Sequence, residues 1–119
     1  MSEKCEEKSG EAVERLLSRF SNLESESGEK QVNAIVTLMK ALSHPQRLKL
    51  FVAIGKKEVC VCKLVGVSEL SQPAISHHLN ILARAGLLRR RRKGRFNHYQ
   101  VNPDLVKQMA NQVQDLLTE

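Results

Sequence analysis

Two thiols separated by a single residue, Cys60 and Cys62, are the side chains whose types and spacing most directly suggest chemistry; a third, Cys5, stands far from them. Thiolates are soft ligands and nucleophiles, so a close pair can hold a thiophilic ion or exchange electrons as a disulfide. The pair lies in an apolar run, Val59 to Gly66, that reads as a short helix. Residues two apart on an ideal helix point about 200° apart around its axis. Both sulfurs can then reach one ion only if the helix starts after them or unwinds, and ion binding is expected to distort it. The plainer alternative, a small core residue, stays open for Cys60. Cys5 sits in a polar stretch, and an odd number of cysteines cannot pair fully within one chain.

The second constellation is one of charge. Leu70 to Pro103 contains no Asp or Glu but holds Arg84, Arg89, Arg90, Arg91, Arg92, Lys93 and Arg95, a charge of +7 in a chain of net +6. Residues 1–30 carry −3, residues 31–69 carry +4 and residues 104–119 carry −2. Solubility is better served by interspersed signs, whereas a one-signed field attracts polyanions and releases their counterions. Aromatics are scarce, with Phe20, Phe51, Phe96, Tyr99 and no Trp. That argues against single-strand binders, which stack bases on several aromatic platforms.

Elements must position these groups, and 119 residues give room for one domain with one core. Val13, Leu16, Leu17, Phe20 and Leu23 form a helical stripe that Ser25-Glu26-Ser27-Gly28 interrupts. Val32, Ile35, Val36, Met39 and Leu42 form a second stripe, ending near Ser43-His44-Pro45. Pro45 suits the first turn of a third helix, which uses Leu48, Leu50, Phe51 and Ile54 and stops at Gly55. After the cysteine helix and a turn, Ser71 is a good N-cap for a helix to about Ala85, with Gly86 as its stop. Leu87 to Arg92 and Phe96 to Val101 alternate around Lys93-Gly94 as a hairpin. A last helix from Pro103 carries Leu105, Met109, Val113 and Leu116 on one stripe. The expected fold is mainly α with a small β-hairpin: a winged helix-turn-helix in the order α-α-α-α-α-β-β-α.

On the helix after Ser71, Ile75, Leu79 and Leu82 point inward. This leaves Gln72, Pro73, Ser76, His77, Asn80 and Arg84 outward, as a recognition helix presents its N-terminal residues to the major groove. His78 lies toward the apolar side and reads as a packed or capping histidine. Arg90, Arg92, Lys93 and Arg95 surround the hairpin tip, where guanidinium groups suit phosphates and a narrow minor groove. The hairpin is expected to set affinity, and Gln72, Ser76 and His77 sequence choice.

Three blocks now resemble the ArsR/SmtB family of metal-responsive repressors. They are Ala41-Leu42-Ser43-His44-Pro45-Gln46-Arg47-Leu48, then Glu58-Val59-Cys60-Val61-Cys62-Lys63-Leu64, then Leu70 to Leu79 with Ala85-Gly86-Leu87. The family's metal box is written ELCVCDL, and this chain reads EVCVCKL. The resemblance implies a homodimeric repressor that leaves double-stranded operator DNA when it binds a soft ion. It also implies a tail and first dimerisation helix over 1–29, a winged helix-turn-helix domain over 30–102 and a C-terminal dimerisation helix over 103–119. As(III) or Sb(III) is the expected inducer, with Cys60, Cys62 and Cys5 as ligands and no resident cofactor. The resemblance places a third cysteine three residues after the second, where this chain has Val65. In the cadmium- and lead-responsive branch, N-terminal thiols complete the set, often across the dimer. That branch usually offers two such thiols, and this chain has one. The family's zinc site is not expected: Val106 and Leu117 stand where its histidines would.

Other functions compete. A redox or reactive-sulfur sensor of the same fold would use the same thiols, and a Cd(II) or Pb(II) sensor would use the same box. A thiol enzyme lacks a strand–CxxC–helix context, and a purely architectural DNA binder would not need the cysteines. Without an apolar run of eighteen residues, and with the polar start Met1-Ser2-Glu3-Lys4-Cys5-Glu6-Glu7, the expected location is the cytoplasm, away from membranes and with reduced thiols.

Overall fold

The computed structural model describes residues 9–118. Among them, six helices and three strands run α1 (Ser9–Leu23), α2 (Glu26–Leu42), α3 (Pro45–Ile54), β1 (Val59–Cys60), α4 (Val61–Val67), α5 (Gln72–Arg84), β2 (Leu88–Lys93), β3 (Phe96–Val101) and α6 (Pro103–Leu117). The order is the expected winged-helix one, with one addition. Val59 and Cys60 form a strand, and the cysteine helix begins only at Val61.

The chain divides into a unit up to Ala34 and a unit from Ile35 onward. In the first, the break between helices falls at Glu24-Ser25, and Gly28 belongs to the first turn of α2. Ser25 Oγ accepts from the Gly28 amide at 3.2 Å and donates to the Asn22 carbonyl at 2.7 Å. A Cβ at position 28 would collide with the carbonyl oxygens of Asn22 and Leu23, so the corner requires glycine. Along α1, Val13, Leu16, Leu17 and Phe20 are all exposed.

In the second unit, Ile75, Leu79, Leu82 and Leu87 are fully buried, with Leu38, Ala41, Leu50, Phe51, Ile54 and Leu64 around them. The buried stripe of α2 differs from the expected one. Ile35, Leu38 and Ala41 face inward, whereas Val36 and Met39 are exposed. Helical periodicity defines a stripe but not its centre, and two stripes sharing Ile35 and Leu42 were available. Leu48 of α3 is likewise exposed. His44 caps α3, its Nδ1 accepting from the Gln46 amide at 3.2 Å, and Pro45 occupies the first turn. Leu105, Val106 and Met109 pack the start of α6 against the core, while Leu117 is exposed.

The sheet is antiparallel in the order β1-β3-β2. Val59 pairs with Tyr99 and Cys60 with His98. The preceding segment also lies along β3: the Val101 amide donates to Gly55 O at 2.9 Å, and Gln100 Nε2 donates to Lys56 O at 2.8 Å. The hairpin therefore has its inner strand tied to the chain just ahead of the cysteines. Among the described residues, no helix is long and apolar enough to cross a membrane.

Truncating a fully buried side chain loses its transfer energy and leaves a cavity. Leu79→Ala is expected to cost about 2–5 kcal/mol in urea unfolding, whereas Val52→Ala, at a site 69% exposed, should stay within about 0.5 kcal/mol.

Candidate nucleic-acid interface and thiol pair

Pairing with His98 keeps the backbone of Cys60 extended, at φ −72° and ψ 138°, and α4 starts at the next residue. The two cysteines are therefore not both on a helix, and the expected divergence of their sulfurs does not occur. Their Cα atoms are 5.2 Å apart and the sulfurs are joined as a disulfide. Such a bond closes too short a loop to staple the fold. Cys60 is buried and accepts from the Cys62 amide through Sγ at 3.3 Å, whereas Cys62 is exposed. Of the two expected ways to bring the pair together, the structure shows the later helix start, after Cys60, and not an unwinding. Among the described residues, no group of three or more His, Cys, Asp or Glu side chains is placed to hold a metal. Cys5 lies outside the described residues.

Cys62 also lines a cleft of about 150 Å³ with Val61, Val65, Gln72 and Phe96. Gln72 is the first residue of α5 and Phe96 the first of β3. The exposed Cys62 side chain thus shares a space with the start of the helix expected to read bases and with the wing. Sequence spacing gave no sign of this cleft, because it joins three segments remote along the chain.

Ser71 caps α5, Oγ accepting from the Ala74 amide at 3.3 Å, and Pro73 sits in the first turn. The helix buries Ile75, His78, Leu79 and Leu82. Gln72, Pro73, Ser76, His77 and Arg84 are exposed, and Asn80 is half-buried. This single polar face carries donors and acceptors suited to base edges. Gly86, at φ +85°, turns the chain out of α5 into β2, a conformation that favours glycine.

His78 is a packed histidine. Its ring centroid lies 4.7 Å from that of His44 and 5.7 Å from that of His77, and its Nδ1 is 3.5 Å from Arg47 Nη1. Arg47 also donates through Nε to Ala41 O at 2.6 Å, fastening α3 to the end of α2. Burial first, then the neighbouring His44, Arg47 and His77, pushes the His78 pKa below the ordinary histidine value.

Arg90, Arg92, Lys93 and Arg95 are all exposed on the hairpin, which turns through Gly94 at φ +64°. The acid-free segment is not free of acids in space. Glu58, just ahead of β1, places Oε1 2.5 Å from Lys93 Nζ and Oε2 3.9 Å from Arg91 Nη1. Arg89 Nη2 lies 3.7 Å from Asp104 and donates to Asn102 Oδ1 at 3.1 Å. Among the described residues, Arg90, Arg92 and Arg95 have no carboxylate partner. The hydrogen bond from Lys93 is the main cause holding the Glu58 carboxyl below the usual carboxylate range.

Residues 44–90 match the sequence model of the bacterial regulatory protein arsR family, the stretch that holds α3 to the start of the wing. An HTH-type transcriptional regulator of Methanocaldococcus jannaschii is 38% identical over 80 residues, covering 66% of this chain and 90% of that one. The chain belongs to the ArsR/SmtB family. An arsenical resistance operon repressor of Escherichia coli is 37% identical over 71 residues, 59% of this chain and 61% of that one. The structure of HlyU from Vibrio cholerae superposes with a TM-score of 0.62 at 33% identity, covering 74% of this chain and 96% of that one. This ArsR/SmtB member is accordingly a DNA-binding transcriptional regulator of the repressor class and not an enzyme.

A buried histidine with a lowered pKa resists protonation in the fold, so its contribution to stability is complete above the unfolded value and is lost as pH falls through the depressed one. Stability is therefore expected to decline as pH drops below about 6.5. Urea midpoints measured from neutral to mildly acid pH should show this decline, and His78→Gln should flatten it.

Proposed function

We propose that this ArsR/SmtB regulator is a homodimeric repressor that leaves its operator when As(III) or Sb(III) binds the thiolates of Cys60 and Cys62, with Cys5 as third ligand. The observation that carries the reading is the cleft shared by Cys62, Gln72 and Phe96. Cys60 is buried and accepts from the Cys62 amide, whereas Cys62 is exposed, so Cys62 is the sulfur that an incoming ion would meet first once the pair is reduced. The ion supplies sulfur bonds in exchange for its hydroxides, which leave as water with the thiol protons. A group held at Cys62 takes up space against the first residue of α5 and the first residue of β3, moving the reader and the wing out of register with DNA.

In the DNA-bound state, Gln72, Pro73, Ser76, His77, Asn80 and Arg84 face the major groove, and Arg90, Arg92, Lys93 and Arg95 engage phosphates and the minor groove. The exposed stripe of Val13, Leu16, Leu17 and Phe20 on α1, with Leu117 on α6, supports helical dimer contacts at the two ends of the chain. The organisation is a dimerisation helix within 1–29, a DNA-binding domain over 30–102 and a second dimerisation helix over 103–119. The protein acts in the cytoplasm, needs no resident cofactor, and uses the same thiols for Cd(II) or Pb(II) where those are the signal.

A second reading is favoured by the bonded sulfurs. Oxidation by a peroxide-class or reactive-sulfur oxidant would take two electrons and two protons from Cys60 and Cys62 and leave the disulfide seen here. Reduced protein titrated with As(III), Cd(II) and Pb(II) and followed in the near ultraviolet separates the two. A thiolate–ion band saturating at about one equivalent per protomer is expected, absent in Cys60→Ser/Cys62→Ser and weakened in Cys5→Ser. No band with any ion would overturn the metal reading in favour of the disulfide switch.

A further inference from the structure

Glu58 is the one carboxylate in contact with the wing tip among the described residues, and it reaches there from outside the wing. Its two oxygens lie 2.5 Å from Lys93 Nζ and 3.9 Å from Arg91 Nη1. The Glu58 side chain is only 23% exposed, whereas Lys93 and Arg91 are 46% and 70% exposed. The carboxylate is thus the more enclosed partner and the cations are the more exposed ones. What holds it is the backbone: Gly55 and Lys56 accept hydrogen bonds from Val101 and Gln100, and Val59 and Cys60 pair with Tyr99 and His98. Glu58 lies between these two sets of contacts. A half-exposed ion pair adds little to stability, so its consequence must be sought in what the cations do elsewhere.

We propose that Glu58 is an internal counter-ion that occupies the site of a DNA phosphate on Lys93 and Arg91 and so lowers the affinity of the wing for DNA. A carboxylate and a phosphate oxygen make the same charge-assisted bond to an ammonium or guanidinium group. A cation already neutralised within the protein displaces fewer condensed counterions when DNA arrives, because it must first give up its own partner. Glu58 directly precedes the strand that carries Cys60, so the counter-ion and the buried cysteine share one short stretch of backbone. The inference rests on the wing touching DNA and does not depend on which agent the thiols sense.

The test measures anisotropy of a labelled duplex of about thirty base pairs and arbitrary sequence across a range of KCl concentrations. Glu58→Gln is expected to bind about two- to fivefold tighter at ~0.1 M salt, with a steeper salt dependence. Glu58→Asp keeps the charge but is too short to reach, and should also tighten binding; it carries the test if the Gln variant is misfolded by circular dichroism. In an Arg91→Ala/Lys93→Ala background the gain from Glu58→Gln should vanish. Unchanged or weakened binding by a folded Glu58→Gln, or by Glu58→Asp in its place, would overturn the proposal. A gain that persists without Arg91 and Lys93 would overturn it too, since simple charge removal would then explain it. Should Arg91→Ala/Lys93→Ala itself leave affinity and salt slope untouched, the wing's contact with DNA is what fails, a result distinct from failure of the counter-ion alone.

Discussion

The pairing of Cys60 with His98 is the constraint on which the rest of the arrangement depends. It keeps one residue extended, and because Cys60 is extended, α4 can begin only at Val61. Two cysteines that a continuous helix would send to opposite sides are brought together by that single boundary. The same pairing makes the chain ahead of α4 the third strand of the wing's sheet. A perturbation at the thiols thus meets the wing through β1 and the helix-turn-helix through α4. Starting the helix one residue earlier would take Cys60 out of its pairing with His98 and turn its sulfur away from Cys62.

In the proposed function, reading and sensing rest on different kinds of support. The outward face of α5 is held by a dry base of Ile75, Leu79 and Leu82, each with no exposure, so its polar side chains are presented from a rigid element. The thiols sit at an edge, one buried and one open, where strand becomes helix. A core seldom offers two arrangements, whereas a boundary between elements can shift at small cost. The cleft joining Cys62, Gln72 and Phe96 lies where that shift would meet both the first turn of α5 and the start of β3, the two parts proposed to face DNA.

Much of the fold was legible because it was local. Ser71, Pro73 and Gly86 bracket α5, the apolar spacing within it has one solution, and alternation around Gly94 announces the hairpin. The outward side chains of α5 and the exposed cations of the wing follow from those two elements. What could not be read depended on contacts between distant segments. β1 is two residues long and has no period of its own; it exists because β3 is there to pair with. The helical reading of the cysteine segment holds from Val61 onward and fails at Val59 and Cys60 for that reason. The wing's own stretch has no acid and reads as unopposed, yet Glu58 and Asp104 reach it from before β1 and after β3. Leu38 and Ala41 replaced Val36 and Met39 in the core because a stripe's centre is decided by its neighbours.

The central claim is that the chemical state of Cys60 and Cys62 controls a DNA-binding surface they do not themselves form. Reduced protein held on labelled duplex DNA, followed by anisotropy as As(III) is added, tests it directly. The account predicts release of the native protein, and a Cys60→Ser/Cys62→Ser variant that binds DNA equally well but stays bound. Release of that variant at the same As(III) concentration, or its failure to bind DNA while folded, would contradict it.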